Sequence, residues 1–127
     1  MKITAHLSLK EFRCKDGTDV PDELLGNLRL LCMCLERIRR EYDKPIKVIS
    51  GYRTLEYNRK INSKDTSKHV QALAADIVIE NVLPSQIAIK IQELESSGDL
   101  PTGCGLGVYV GRFIHFDPRP DRARWSG

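Results

Sequence analysis

A chain of 127 residues is long enough for one compact domain, taken here as residues 1–127, and too short for two ordinary ones. Hydrophobic residues at 41% and charged residues at 29% exclude a disordered or membrane-embedded class, and no apolar run could span a bilayer. The net charge of +3 is mild and the few aromatics do not interleave with the basic residues, so neither a nucleic-acid partner nor membrane insertion is expected.

Met1 to His6 holds one basic residue, no apolar segment and no small-residue cleavage site, so no secretory signal is read there. Leu9 to Cys14 reads as a short helical turn after Ser8, a fitting N-cap with Glu11 three residues on. Asp16-Gly17-Thr18 marks a turn. Pro21 then opens a long amphipathic helix with Leu24, Leu28, Leu31, Leu35 and Ile38 at helical spacing, ending near Tyr42 because Pro45 follows. Arg29, Arg37, Arg39 and Arg40 on that helix read as a solvated face. Cys32 and Cys34 are one residue apart, closer than structural zinc sites use, so all four cysteines are expected reduced and mostly buried.

Ile46 to Ile49 is a β-branched strand, and Ser50 to Thr54 turns into a second helix over Leu55 to Ile61. Asn62 to Lys68 is a polar, exposed loop, followed by a buried strand over Ala74 to Ile79. Pro84 and Ser85 start a third helix, with Ile87, Ile91 and Leu94 on one face and Gly98 ending it. Leu106 to Val110 and Arg112 to Asp117 form a hairpin turned at Gly111, and the tail from Pro118 to Gly127 is irregular. The predicted fold is α+β: a small, mainly antiparallel sheet with helices packed on one side.

Asp76 carries the strongest chemical signal. It sits inside the apolar run Ala74-Ala75-Asp76-Ile77-Val78-Ile79, where a carboxylate is costly to bury unless paired or bound to a cation. His69 lies seven residues before it. In Phe113-Ile114-His115-Phe116-Asp117, alternation sets Phe113, His115 and Asp117 on one face. If the hairpin lies beside the strand of Asp76, then His69, Asp76 and His115 converge. Two imidazoles and a carboxylate leave a tetrahedral zinc one open position, the pattern of a catalytic site. The plainer readings are a hydrogen-bonded core histidine and an Asp76–arginine pair.

Taken in order, Ser50-Gly51-Tyr52-Arg53-Thr54, Ser67-x-His69, Asp76, Phe113-Ile114-His115-Phe116-Asp117 and Arg124-Trp125 resemble the zinc D-alanyl-D-alanine peptidase family. The likeness is to its small single-domain branch of phage lysis genes and bacterial wall enzymes. Leu9-x-Glu11-Phe12-x-Cys14 and Leu35-Glu36-x-Ile38-Arg39 also fit that branch, so the resemblance runs along nearly the whole chain. It implies the hedgehog/DD-peptidase fold and one Zn2+ held by His69, Asp76 and His115. It gives Arg53 a place near the substrate or the developing oxyanion, a structural salt bridge being the alternative. Ser67 would bind substrate or orient its loop, a turn role being the alternative.

Two positions depart from the family pattern. Ala72 stands where glycine is common, and is expected to fit with a negative φ. Arg112 stands where better-known relatives place an acid or a histidine, three residues before the second histidine ligand. Asp117 is then the nearest acid and the candidate general base. A carboxylate that orients a ligand, or an anchor for the turn at Pro118, are its other readings. Tyr109 and Trp125 are candidates for a cleft wall, with packing as the plainer role.

The function the resemblance implies is hydrolysis of peptidoglycan stem peptides by a zinc metallopeptidase, as a D-Ala-D-Ala carboxypeptidase or an endopeptidase. A catalytically inactive, zinc-stabilised wall-binding or virion module is the alternative, and a cysteine-metal regulator a third class. The expected partner is a stem peptide and the expected state a monomer. A phage- or prophage-like lysin made in the cytoplasm and released to the wall fits the absent signal, as does an exported form whose signal lies outside this chain.

Overall fold

Apolar spacing decides the long helix. Leu28, Leu31, Leu35 and Ile38 share one face of α1 (Leu25–Tyr42), and all four are fully buried in the computed structural model, which describes residues 1–127. The start expected at Pro21 is displaced. Asp22–Leu24 form a 3-10 turn, closed by the Leu24 N–H on the Pro21 carbonyl at 3.0 Å, and the α-helix begins after it. A proline with fixed φ suits such a tight first turn. At the other end Asp43 takes a left-handed conformation, and Arg39 and Arg40 lie in the last turn, where cations complement the helix dipole.

Ahead of α1, β1 (Lys2–Thr4) and β2 (Leu7–Ser8) form a two-stranded ribbon. After it come β3 (Ile46–Ser50), α2 (Leu55–Lys60), β4 (Ala75–Ile79), α3 (Pro84–Ser96), β5 (Gly105–Tyr109), β6 (Phe113–Asp117) and β7 (Ala123–Ser126). The main sheet has the order β3-β4-β6-β5-β7, antiparallel except for the β5–β7 pair. Ile77 and Ile79 of β4 join Leu106, Ile114, Phe116 and the apolar faces of α1 and α3 in one core. Asp76, His115 and Asp117 alternate with those residues and therefore face the other way. This is the expected α+β arrangement, with core and candidate site on opposite faces of the sheet. No helix is long and apolar enough to cross a membrane.

The tail read as irregular contributes β7 instead. Its sequence, Ala123-Arg124-Trp125-Ser126, has no strand alternation of its own. It is held by a distant partner: the Arg124 guanidinium donates to both oxygens of the buried Glu95 carboxylate on α3, at 2.9 and 3.1 Å. The β1–β2 ribbon is equally absent from the elements expected from sequence, being only two and three residues long on its strands.

All four cysteines are buried and unpaired, as expected. Burial pushes the Cys32 thiol up to about 12 and those of Cys34 and Cys104 up to about 11, so their thiolates are scarce near neutral pH. The native protein at pH 8 should show no labelling at these three residues with a thiol reagent, while the unfolded chain labels fully. Rapid native labelling of Cys32 would contradict this.

Asp16 ties two local structures together. One carboxylate oxygen accepts the Thr18 N–H at 2.9 Å, and the other accepts the hydroxyl of Thr54, the N-cap of α2, at 2.8 Å. Hydrogen bonds from Thr18, and then from Thr54, lower its pKa from 3.8 to about 2. The stabilisation is therefore present above 3.8 and is lost as pH falls toward 2. Acid titration should show a shallower loss of stability in Asp16→Asn than in the parent over that range. Identical slopes would deny Asp16 this role.

Candidate metal centre

Three local devices set His69 in place. His69 lies in a 3-10 turn (Lys68–Gln71) whose N-cap is Ser67, with the Ser67 hydroxyl accepting the His69 N–H at 3.3 Å. The turn ends at Ala72, which is left-handed with φ +55°, contrary to the negative φ expected there. A left-handed alanine costs about 1–2 kcal/mol, but its methyl group is buried in the core, which returns about 0.8 kcal/mol. The Arg53 N–H donates to the His69 carbonyl at 3.0 Å and fastens the turn to the loop after β3.

Register places the other two candidate ligands. Asp76 on β4 is directly paired with His115 on β6, and both point away from the core. His69 Nε2 and His115 Nδ1 lie 3.2 and 3.1 Å from the same oxygen, Asp76 Oδ1. The far nitrogen of each ring is already committed. His69 Nδ1 donates to the Gly51 carbonyl at 2.7 Å, and His115 Nε2 donates to Asp117 Oδ2 at 2.7 Å. Both acceptors lack a proton to give, so each ring proton sits on the far side. The near nitrogens then aim lone pairs at a carboxylate oxygen, an arrangement that a cation between them turns from repulsion into attraction.

The spacing suits zinc. Ligand atoms about 2.0–2.1 Å from a tetrahedral zinc stand roughly 3.3 Å from one another. The two separations from Asp76 Oδ1 are close to that, and all three candidate ligand atoms lie within 4.8 Å of each other. Burial favours neutral imidazole at both histidines. At His69 this prevails and the pKa falls. At His115 it is outweighed by the bonds that the protonated ring makes to Asp117 and Asp76, and the pKa rises. Burial also opposes the charge on Asp76, yet whenever an imidazole beside it takes up a proton, His115 first and then His69, the bond that ring then donates holds the carboxyl well below the usual range.

Asp117 does not face the space beside the cluster. Its side chain is fully buried, and besides His115 it binds Arg119, whose Nε and second terminal nitrogen donate to its two oxygens at 2.7 and 2.8 Å. Burial raises its pKa less than the bonds from Arg119 and His115 lower it, so the group stays ionised. The carboxylate stands behind His115, on the ring edge remote from Asp76. That location fits the reading in which it orients a ligand, and not that of a base acting on water in the cleft.

Two glycines on β5 make room for this second layer. A Cβ on Gly105 would collide with the Asp117 carboxylate and the Arg119 guanidinium, and one on Gly107 with the Trp125 indole. Trp125 thus lies across β5, its ring 4.8 Å from that of His115, and Arg119 stacks over it at 5.5 Å. Sequence reasoning missed Arg119 and both glycines. The available signal was Gly105-x-Gly107, two glycines on one face of a strand, which pair with Asp117 and His115 in β6.

The cluster lies in a cleft of about 760 Å³. Its lining includes Arg53, Ser67, Tyr109 and Trp125 among the residues singled out from sequence, but not Asp117. Arg53 is mostly buried, with one terminal nitrogen 3.4 Å from Asp76 Oδ2 and the other donating to Asn58 at 3.2 Å. Burial lowers its pKa while Asp76 works the other way. Five cationic side chains line the cleft (Arg53, Lys64, Lys68, Arg112 and Arg119), against one carboxylate, Asp76.

A family model described as Peptidase M15 matches residues 3–117, which include His69, Asp76 and His115. The chain belongs to the Peptidase M15 family. This family is zinc-dependent, and the His69, Asp76 and His115 cluster of this M15 protein can hold one metal ion. Membership supports a zinc metallopeptidase of the cell-wall peptidase kind. No curated protein and no solved structure gives a significant match. The family match ends at Asp117, so Arg119 and Trp125 lie beyond it.

Proposed function

We propose that this M15 protein hydrolyses peptide bonds in peptidoglycan stem peptides, with D-Ala-D-Ala carboxypeptidase action first and endopeptidase action second. The observation that carries the proposal is the pair of bare imidazole nitrogens converging on Asp76 at the floor of a cationic cleft. Stem peptides carry free carboxylates, and a cleft with five cations and one acid attracts such ligands. When bound, zinc supplies Lewis acidity toward a peptide carbonyl and lowers the pKa of water.

The protein's own groups supply the rest. Arg53 is placed to grip a peptide oxygen, either the developing oxyanion or a terminal carboxylate, while its contact with Asp76 holds it still. Ser67 orients the His69 turn and presents the remaining capacity of its hydroxyl to the cleft. Asp117 acts as a positioning residue behind His115, replacing the base role expected for it. A zinc-stabilised wall-binding module is the second reading, favoured by Asp76 being the only carboxylate that lines the cleft. A phage- or prophage-type lysin is the biological setting we propose.

Mass spectrometry of a stem pentapeptide and of purified peptidoglycan, incubated with zinc-loaded protein, tests both readings. Release of D-alanine or shorter peptides, abolished by a chelator and restored by zinc, is expected. Stoichiometric zinc without cleavage of either material would leave the binding module.

A further inference from the structure

Tyr109 holds a position that the metal cluster does not explain. It lies on the site face of β5, two residues beyond Gly107, and its ring stacks on that of Phe113 with centroids 4.4 Å apart. Its hydroxyl oxygen accepts a hydrogen bond from the Trp125 indole nitrogen at 2.9 Å. An indole N–H can only donate, so this bond occupies a lone pair of the phenol and leaves its proton to be given elsewhere. No acceptor within the protein takes that proton. The tryptophan itself is fixed, bedded on Gly107, against His115 and beneath Arg119. The phenol is therefore a donor held in one place on the wall of the cleft that contains Asp76 and His115.

We propose that Tyr109 is a substrate-contacting residue whose hydroxyl donates a hydrogen bond to a backbone carbonyl oxygen of the bound peptide. This rests on the peptidase reading above. Trp125 acts as a positioning residue, since it uses up the alternative in which the phenol accepts from a peptide N–H. A site that presents a donor and no acceptor at this point discriminates by what would be left unpaired.

Tyr109→Phe keeps the ring stacked on Phe113 and removes only the hydroxyl. Three quantities would be compared with the parent, both proteins zinc-loaded. They are zinc affinity, affinity for a stem pentapeptide N-methylated at its terminal amide to resist cleavage, and kcat/KM on the unmodified peptide. The expected result is unchanged zinc affinity, peptide binding weakened roughly fivefold to tenfold, and kcat/KM reduced by roughly tenfold or more. Peptide affinity and kcat/KM within twofold of the parent would overturn the proposal and leave the peptidase reading intact. A fall in zinc affinity that accounts for the lost activity would also overturn it, by making Tyr109 a scaffold for the ligands. If the parent neither binds nor cleaves the peptides, the peptidase reading fails and this proposal with it.

Discussion

Asp76→Ala should lose zinc binding, and with it all peptidase activity. The carboxylate is the point on which both imidazoles converge, at 3.2 and 3.1 Å, so removing it takes away one of three ligand atoms and the charge that balances the ion. Loss of a merely supporting contact typically weakens metal affinity by about 10–100-fold; removal of this ligand should exceed that range. Arg53 also loses its acid while remaining largely buried, which should lower stability by about 1–3 kcal/mol. Titration calorimetry with zinc and a urea melt of the metal-free proteins would separate the two effects. Stoichiometric, tight zinc in Asp76→Ala would remove Asp76 from the ligand set.

Asp117→Asn separates two roles that look alike in a single activity measurement. As a positioning residue Asp117 fixes the His115 tautomer, so the amide should weaken zinc binding by about 10–100-fold. Activity at limiting zinc should fall in proportion, and saturating zinc should restore most of kcat. A general base behaves differently: zinc occupancy would be normal and no excess of metal would rescue the rate. Asp117→Ala is the harsher companion. It leaves the mostly buried Arg119 guanidinium and the His115 N–H without their shared acceptor, at about 3–5 kcal/mol of stability. Intact zinc affinity with a lost kcat in Asp117→Asn would return Asp117 to the base role.

What could be read from sequence depended on whether the signal was local. Helix α1 and the burial of Ile77, Ile114 and Phe116 follow from spacing alone, because each element's period shows which side is apolar. The convergence of Asp76 with His115 was legible because an acid in an apolar strand and a histidine in an alternating one must share a face once the strands pair. Strand β7 was hidden, since it depends on Arg124 reaching Glu95, 29 residues away, and not on its own pattern. Asp117 was visible as an acid near the site, but its role turns on Arg119 two residues on, whose direction only the folded chain fixes. Ala72 shows a different limit. A left-handed alanine is disfavoured locally, and its buried methyl group, a tertiary fact, offsets part of that penalty.

The sheet separates what keeps the protein folded from what it acts upon. The apolar cluster joining α1, α3 and the strands lies on one side, while the residues lining the cleft lie on the other or in the loops beside it. Lys64, Lys68 and Arg112 touch the cleft without entering that cluster. Exchanges at Lys64 and Lys68 should therefore change melting temperature little, and at Arg112 only by its contacts with the Tyr109 and Phe113 rings, yet each alters the charge that a bound ligand meets. A library randomised there should retain folding in most members while spreading widely in peptide preference. For the proposed peptidase function, the same scaffold is thus open to retargeting without being rebuilt.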